Sequence, residues 1–173
     1  MQEKLKLAVS TVGLIMFWAD NFTDAEYVGF VDDDAIITRA FNDYDLFDIE
    51  NDRPRAIVRY TTYFKPIDGW DSFMKKWYEQ SYWSYGNQEP AFINAMSYFP
   101  VIIKRQHLIE IRQTILSHHP EFHNNFNDYF RALGTRKKRA TFSQFGIMFD
   151  HLWWYHRRGI LNHSYHKHTR YRN

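Results

Sequence analysis

Asp32, Asp33 and Asp34 stand in a row directly after the apolar run Tyr27-Val-Gly-Phe-Val31. In an extended segment, side chains at i and i+2 point the same way, so Asp32 and Asp34 converge while Asp33 faces elsewhere. Two carboxylates held that close repel one another unless a positive charge sits between them. A hard divalent cation with oxygen ligands, Mn²⁺ or Mg²⁺, meets that need and accepts phosphate oxygens as further ligands. Acidic triplets also occur in solvated turns between strands, and that reading stands beside the metal site.

Charge is distributed unevenly around this triplet. Residues 20–52 carry eleven acids against the single base Arg39, whereas residues 131–173 carry ten Lys and Arg against Asp150 alone. The formal net charge of +2 therefore hides a charge dipole along the chain. The basic end is either a solvated tail or the anion-holding half of a site whose other half is the acidic block. Of the 173 residues 45% are hydrophobic and 24% charged, which excludes a disordered or collagen-like chain and suits one domain with its own core. The absence of cysteine excludes a disulfide framework, a thiolate zinc site and a catalytic thiol. Any metal must rest on Asp, Glu, His or backbone oxygen. Aromatic residues make up 19% of the chain, enough for a core and for flat platforms that suit a sugar or a base.

The pattern of the chain predicts the elements that would position these residues. The apolar run Leu7 to Ala19 is shorter than the roughly 17–25 residues that span a bilayer, so no transmembrane segment is expected. A buried helix over residues 2–19 is predicted, with a targeting segment as the alternative. Strands are predicted over 26–31, 55–64 and 98–104, with a strand-like run resuming at Ala35 to Thr38. Helices are predicted over 70–83 and over 106–118, where Leu108, Ile111 and Ile115 share one face and Pro120 ends the run. Further helices are expected from Phe122 to Leu133, closed by Gly134, and from a Thr141 or Ser143 cap to about His156. The result is an α/β domain with a mixed sheet and flanking helices over 1–158, followed by a basic, His-rich segment over 159–173.

The segment Tyr27-Val-Gly-Phe-Val-Asp-Asp-Asp-Ala-Ile-Ile-Thr38, with Trp18-Ala19-Asp20 before it, resembles the D-x-D region of GT-A glycosyltransferases. Tyr98-Phe99-Pro100-Val101 with Lys104-Arg105-Gln106-His107-Leu108, and Phe142-Ser143-Gln144-Phe145 followed by an aromatic helix, extend the resemblance to an uncharacterised subgroup of that family. The resemblance covers most of the chain from about Ala19 to His166. It implies a metal-dependent transferase that moves a sugar from a nucleotide-sugar donor to a glycan or other acceptor. It further implies that Asp34 binds the metal, that Asp32 helps through metal or ribose contact, and that His163, or else His166, adds a ligand. Asp32, Asp33 and Arg39 are then on the donor side, and Trp83, Asn87, Gln88 and Tyr98 on the acceptor side. Gln144 stands where relatives can carry Glu, and an amide cannot take a proton as a general base.

In such a family a nucleotide-binding part of about a hundred residues precedes the D-x-D, and here 31 residues do. The chain is thus expected to match the C-terminal portion of a GT-A fold, either as a working transferase or as a non-enzymatic fragment that binds a metal or glycan. A haloacid dehalogenase-like phosphatase also places Asp-x-Asp after an apolar strand, but the acids beyond residue 52 include no adjacent pair. No nucleic-acid-binding motif accompanies the basic end, so no nucleic-acid partner is expected. Two N-x-Ser/Thr sequons, at Asn21 and Asn162, leave the compartment open.

Overall fold

The computed structural model describes residues 13–32, 36–38, 40–51, 53–54, 59–60, 71–86, 93–94, 100–135 and 142–155. Its framework is one short antiparallel ladder laid against helices. Strand β1 (Tyr27–Phe30) pairs with β6 (Val101–Lys104) in a register running from Tyr27 opposite Lys104 to Phe30 opposite Val101. The backbone N–H of Arg105 donates to the Glu26 carbonyl at 2.8 Å, and the side chains of Lys104 and Glu26 pair at 3.0 Å, which closes the ladder at its start. Two further pairs, β2 (Phe47–Asp48) with β3 (Arg53–Pro54) and β4 (Arg59–Tyr60) with β5 (Ile93–Asn94), are also antiparallel. The chain is therefore mixed α and β, and among the described residues no sheet exceeds two strands and every pairing is antiparallel.

Residues 13–17 form α1, and α2 (Asp43–Leu46) follows a reciprocal cap in which Asn42 and Asp45 bond each other's backbone N–H. The longer helices are α3 (Asp71–Ser84), α4 (Arg105–His118), α5 (Phe126–Thr135) and α6 (Gln144–Tyr155). The α4 stripe predicted from spacing is the buried one: Leu108, Ile111 and Ile115 are fully shielded. They join Phe17 of α1, Phe30 of β1, Val101 and Ile103 of β6, Tyr129 and Leu133 of α5, and Phe145, Ile147 and Met148 of α6 in one core. Aromatic rings supply much of it: Phe126 contacts Phe17, Tyr129 and Phe130, and Phe17 also meets Phe130.

Three expectations change. The helix predicted from Phe122 begins at Phe126, because Pro120–Phe122 forms a separate 3₁₀ turn and His123 and Asn124 take left-handed backbone angles. Asn125 then caps the helix by accepting from the backbone N–H groups of Asn127 and Asp128, and Gly134 lies inside it instead of ending it. The run after the aspartates does not resume as a strand at Ile36–Thr38, where no ladder forms and Ile36 is 85% exposed. Among the described residues the expected mixed sheet is not formed: the strands pair two by two and antiparallel, β1 meeting β6 in the opposite direction. Strand expectations over 55–58, 61–64 and 98–99, and the segment 159–173, lie outside the described residues. Among the described residues no helix is long and apolar enough to cross a membrane.

Candidate functional site

The carboxyl end of β1 is where the residues singled out by sequence begin to meet. Phe30, the last residue of the strand, is buried opposite Val101 and packs edge-on against Phe145, with ring centroids 6.2 Å apart. Asp32 follows two residues later and is half-buried. Three separate stretches are thereby joined: the strand leading into the aspartates, the strand at Val101, and the start of α6. Ser143 caps that helix, its Oγ accepting from the Gly146 N–H at 2.9 Å, as the Ser/Thr cap expectation required. Gln144, the next residue, donates from Nε2 to the Met16 sulfur at 3.3 Å, which turns its amide toward α1.

Trp83 is also described, and its ring is half-buried in the interior between α3 and α5. It stacks on Tyr129 at 5.5 Å and 12°, and contacts His119 at 4.3 Å. Its carbonyl accepts from His119 Nε2 at 2.9 Å and from the Gly86 N–H at 3.2 Å. Packing thus accounts for this aromatic. Asp33, Asp34, Arg39, Asn87, Gln88, Tyr98, His163 and His166 lie outside the described residues. Among the described residues no three His, Asp or Glu side chains are arranged to hold a metal.

Two polar constellations inside the fold were not anticipated. The first ties α1 to α4: Arg112 donates to both Asp20 oxygens, at 2.6 and 2.8 Å, and to the Phe17 carbonyl, while its guanidinium lies 4.0 Å from the Trp18 ring centre. The sequence signal for it was present. Arg112 occupies a position four after Leu108, within the apolar stripe, where a charge must be buried with a partner.

The second is a seam between α3 and α6. Ser81 Oγ donates to the buried Asp150 carboxylate, Tyr85 donates to the Ile147 carbonyl at 2.7 Å, and Tyr129 donates to Ser84 Oγ at 2.6 Å. Burial, then the neighbouring Tyr129, Asp150 and Tyr155, pushes the Tyr85 phenol well above its ordinary value of 10.0. A raised folded-state value means that this group's stabilisation is complete below pH 10 and is lost as pH climbs above it toward the folded value. Tyr85→Phe is accordingly expected to flatten the alkaline loss of stability. Thermal melts of the two proteins between pH 8 and 11 would expose it, and parallel alkaline slopes would reject the assignment.

No family model matches the chain, and no curated protein or solved structure is significantly similar to it.

Proposed function

We propose that the chain carries the metal edge of a GT-A-like glycosyltransferase, and that the carboxyl end of β1 receives the diphosphate of a nucleotide-sugar donor. The observation that supports this reading is the meeting of the three stretches that carry the resemblance: the β1 ladder sets Phe30 opposite Val101, and Phe30 packs on Phe145. The donor set, carboxylate oxygens of Asp32 and Asp34 on a segment leaving an apolar strand, suits Mn²⁺ or Mg²⁺. A divalent ion held there would offset negative charge on the diphosphate.

The chain's own residues have separate parts in this reading. Asp34 supplies the principal ligand, Asp32 a second contact to the metal or to the ribose, and His163 a further ligand, with His166 as its alternative. Asp33 and Arg39 flank the donor. The basic residues beyond 131 provide positive charge for an anionic substrate. Gln144 takes no proton, because an amide has no basic site at neutral pH and its nitrogen is engaged with Met16. Asn87, Gln88 and Tyr98 lie on the acceptor side, whereas the packing of Trp83 gives that residue a structural part.

Calorimetric titration of Mn²⁺ into the wild type and into Asp34→Asn tests the assignment. Loss of an outer-shell partner alone weakens metal binding by about 10- to 100-fold. Loss of a direct carboxylate is expected to weaken it by at least about tenfold. Equal binding by the two proteins would remove the metal from this position. Hydrolysis of a panel of nucleotide sugars, followed by release of nucleoside diphosphate, then reports whether a bound metal serves a donor.

A further inference from the structure

The connection from α4 to α5 is organised by a buried histidine whose two ring nitrogens both face acceptors. His119 is only 5% exposed. Its Nε2 lies 2.9 Å from the Trp83 carbonyl of α3, and its Nδ1 lies 3.0 Å from Oε1 of Glu121 in the 3₁₀ turn. Neither a carbonyl nor a carboxylate has a proton to donate, and a neutral imidazole carries a single N–H. Only the doubly protonated ring satisfies both contacts. Its surroundings suit a cation, since the rings of Trp83, Tyr129 and Phe122 border it with centroids 4.3, 5.5 and 6.0 Å away.

The two acceptors are not equivalent. The Trp83 carbonyl belongs to the backbone of α3 and cannot turn away, whereas the Glu121 side chain is 56% exposed and can rotate into water. When the ring holds one proton, that proton therefore stays on Nε2, and Nδ1 presents a lone pair to the carboxylate. We infer that His119 is a proton-controlled clasp: the imidazolium ties Glu121, and with it the turn into α5, to α3, and the neutral ring releases it. The turn has reason to relax once released, because His123 and Asn124 hold φ angles of 48° and 63°, a region that costs a residue with a side chain and persists only under surrounding contacts.

The titratable groups facing His119 set the range of the clasp. From the turn, the Glu121 carboxyl is held below its ordinary value of 4.5, first by its own backbone N–H and then by His119. A lowered folded-state value means that its contribution is present above the ordinary carboxylate range and is lost as pH falls through the folded value. From α4, His118 is held below its ordinary value of 6.5, first by burial and then by charge on His119. From α5, the Tyr129 phenol donates to Ser84 Oγ, and α3 contributes the uncharged Trp83. The clasp thus closes as acidification adds the second proton to the imidazole, and opens again only where Glu121 itself becomes protonated. None of the proposed metal ligands takes part, so the clasp is independent of the transferase reading.

Nitrogen–proton correlation spectra of the histidine rings, with hydrogen–deuterium exchange at Phe122 and His123, provide the test between about pH 5 and 8. The amides of these two residues donate to the His119 and Pro120 carbonyls at 3.1 and 3.0 Å, so their exchange reports opening of the turn. At the acid end both nitrogens of His119 are expected to carry protons, and as pH rises Nδ1 should lose its proton while Nε2 keeps its own. Exchange at both amides, corrected for intrinsic rates, should then speed up by about three- to tenfold, the scale of one hydrogen bond. Glu121→Ala removes an exposed side chain, so it should keep the wild-type circular dichroism, and its exchange should stay at the faster level throughout. His118→Gln leaves the clasp in place and should respond to pH as the wild type does. Corrected exchange independent of pH in the wild type, a wild-type response in Glu121→Ala, or loss of the response in His118→Gln overturns the inference. So does a neutral His119 that keeps its proton on Nδ1.

Discussion

Replacing Arg112 with methionine is expected to lower the free energy of unfolding by about 3–5 kcal/mol, the range for breaking a buried ion pair by removing one partner. The Asp20 side chain is only 5% exposed and accepts from both terminal guanidinium nitrogens, so the variant would leave it buried and uncompensated. Loss of the bond to the Phe17 carbonyl and of the stacking on Trp18 adds to the effect. Trp18 is itself held by a bond from Nε1 to Asn127 at 3.1 Å, so the disturbance reaches α5. Urea unfolding followed by circular dichroism measures the loss, and a change below about 1 kcal/mol, the scale of an exposed pair, would mean that Asp20 finds another partner or water. The double variant Asp20→Leu, Arg112→Met separates two explanations. Apolar replacement of both partners is often neutral, so a large recovery identifies the stranded carboxylate, and not lost packing, as the main cost.

Phe145→Ala should cost a similar amount, about 3–5 kcal/mol, as expected for deleting a fully buried ring and leaving a cavity. In a domain of this size that corresponds to a fall in melting temperature of roughly 10 °C. The position also matters for the site, because Phe145 supports Phe30, and Phe30 is the last paired residue before the aspartates. Phe145→Leu keeps most of the volume and should recover most of the stability. If the β1 terminus depends on this contact, Mn²⁺ affinity will fall in Phe145→Ala even well below its melting temperature. Calorimetry at low temperature reads that coupling, and unchanged affinity would mean that the aspartates are held from elsewhere.

The readable parts of this fold were those with a period or a punctuation mark. The α4 stripe, the Ser143 cap, the helix over 71–84 and the two strands of the first ladder follow from spacing, Pro120 and a Ser/Thr signal. What escaped was set by tertiary pairing. Nothing in residues 26–31 and 98–104 alone fixes the direction in which they pair, so parallel and antiparallel sheets were equally compatible. The start of α5 at Phe126 was masked by Pro120-Glu-Phe122, which is apolar enough to pass as helix but closes as a 3₁₀ turn. Buried polar contacts such as Ser81 with Asp150 depend on which faces α3 and α6 present to each other, and a periodicity calculation sees only one helix at a time. At the site, the strand and Asp32 were legible together, whereas the support from Phe145 required the fold.

The ladder between β1 and β6 has an entropic consequence. Its pairing of Phe30 with Val101 closes a loop made of residues 31–100, and closure entropy grows only logarithmically with length. Each doubling of that loop costs about 0.6 kcal/mol, less than the loss of one helix cap. Lengthening the exposed part of this interval, with α3 and the buried Tyr85 kept in place, therefore leaves the ladder and the α4–α6 core close to their original stability. The exposed stretch that includes Ile36, Ile37 and Tyr44 sits within this interval, so added length there is expected to leave the scaffold fixed.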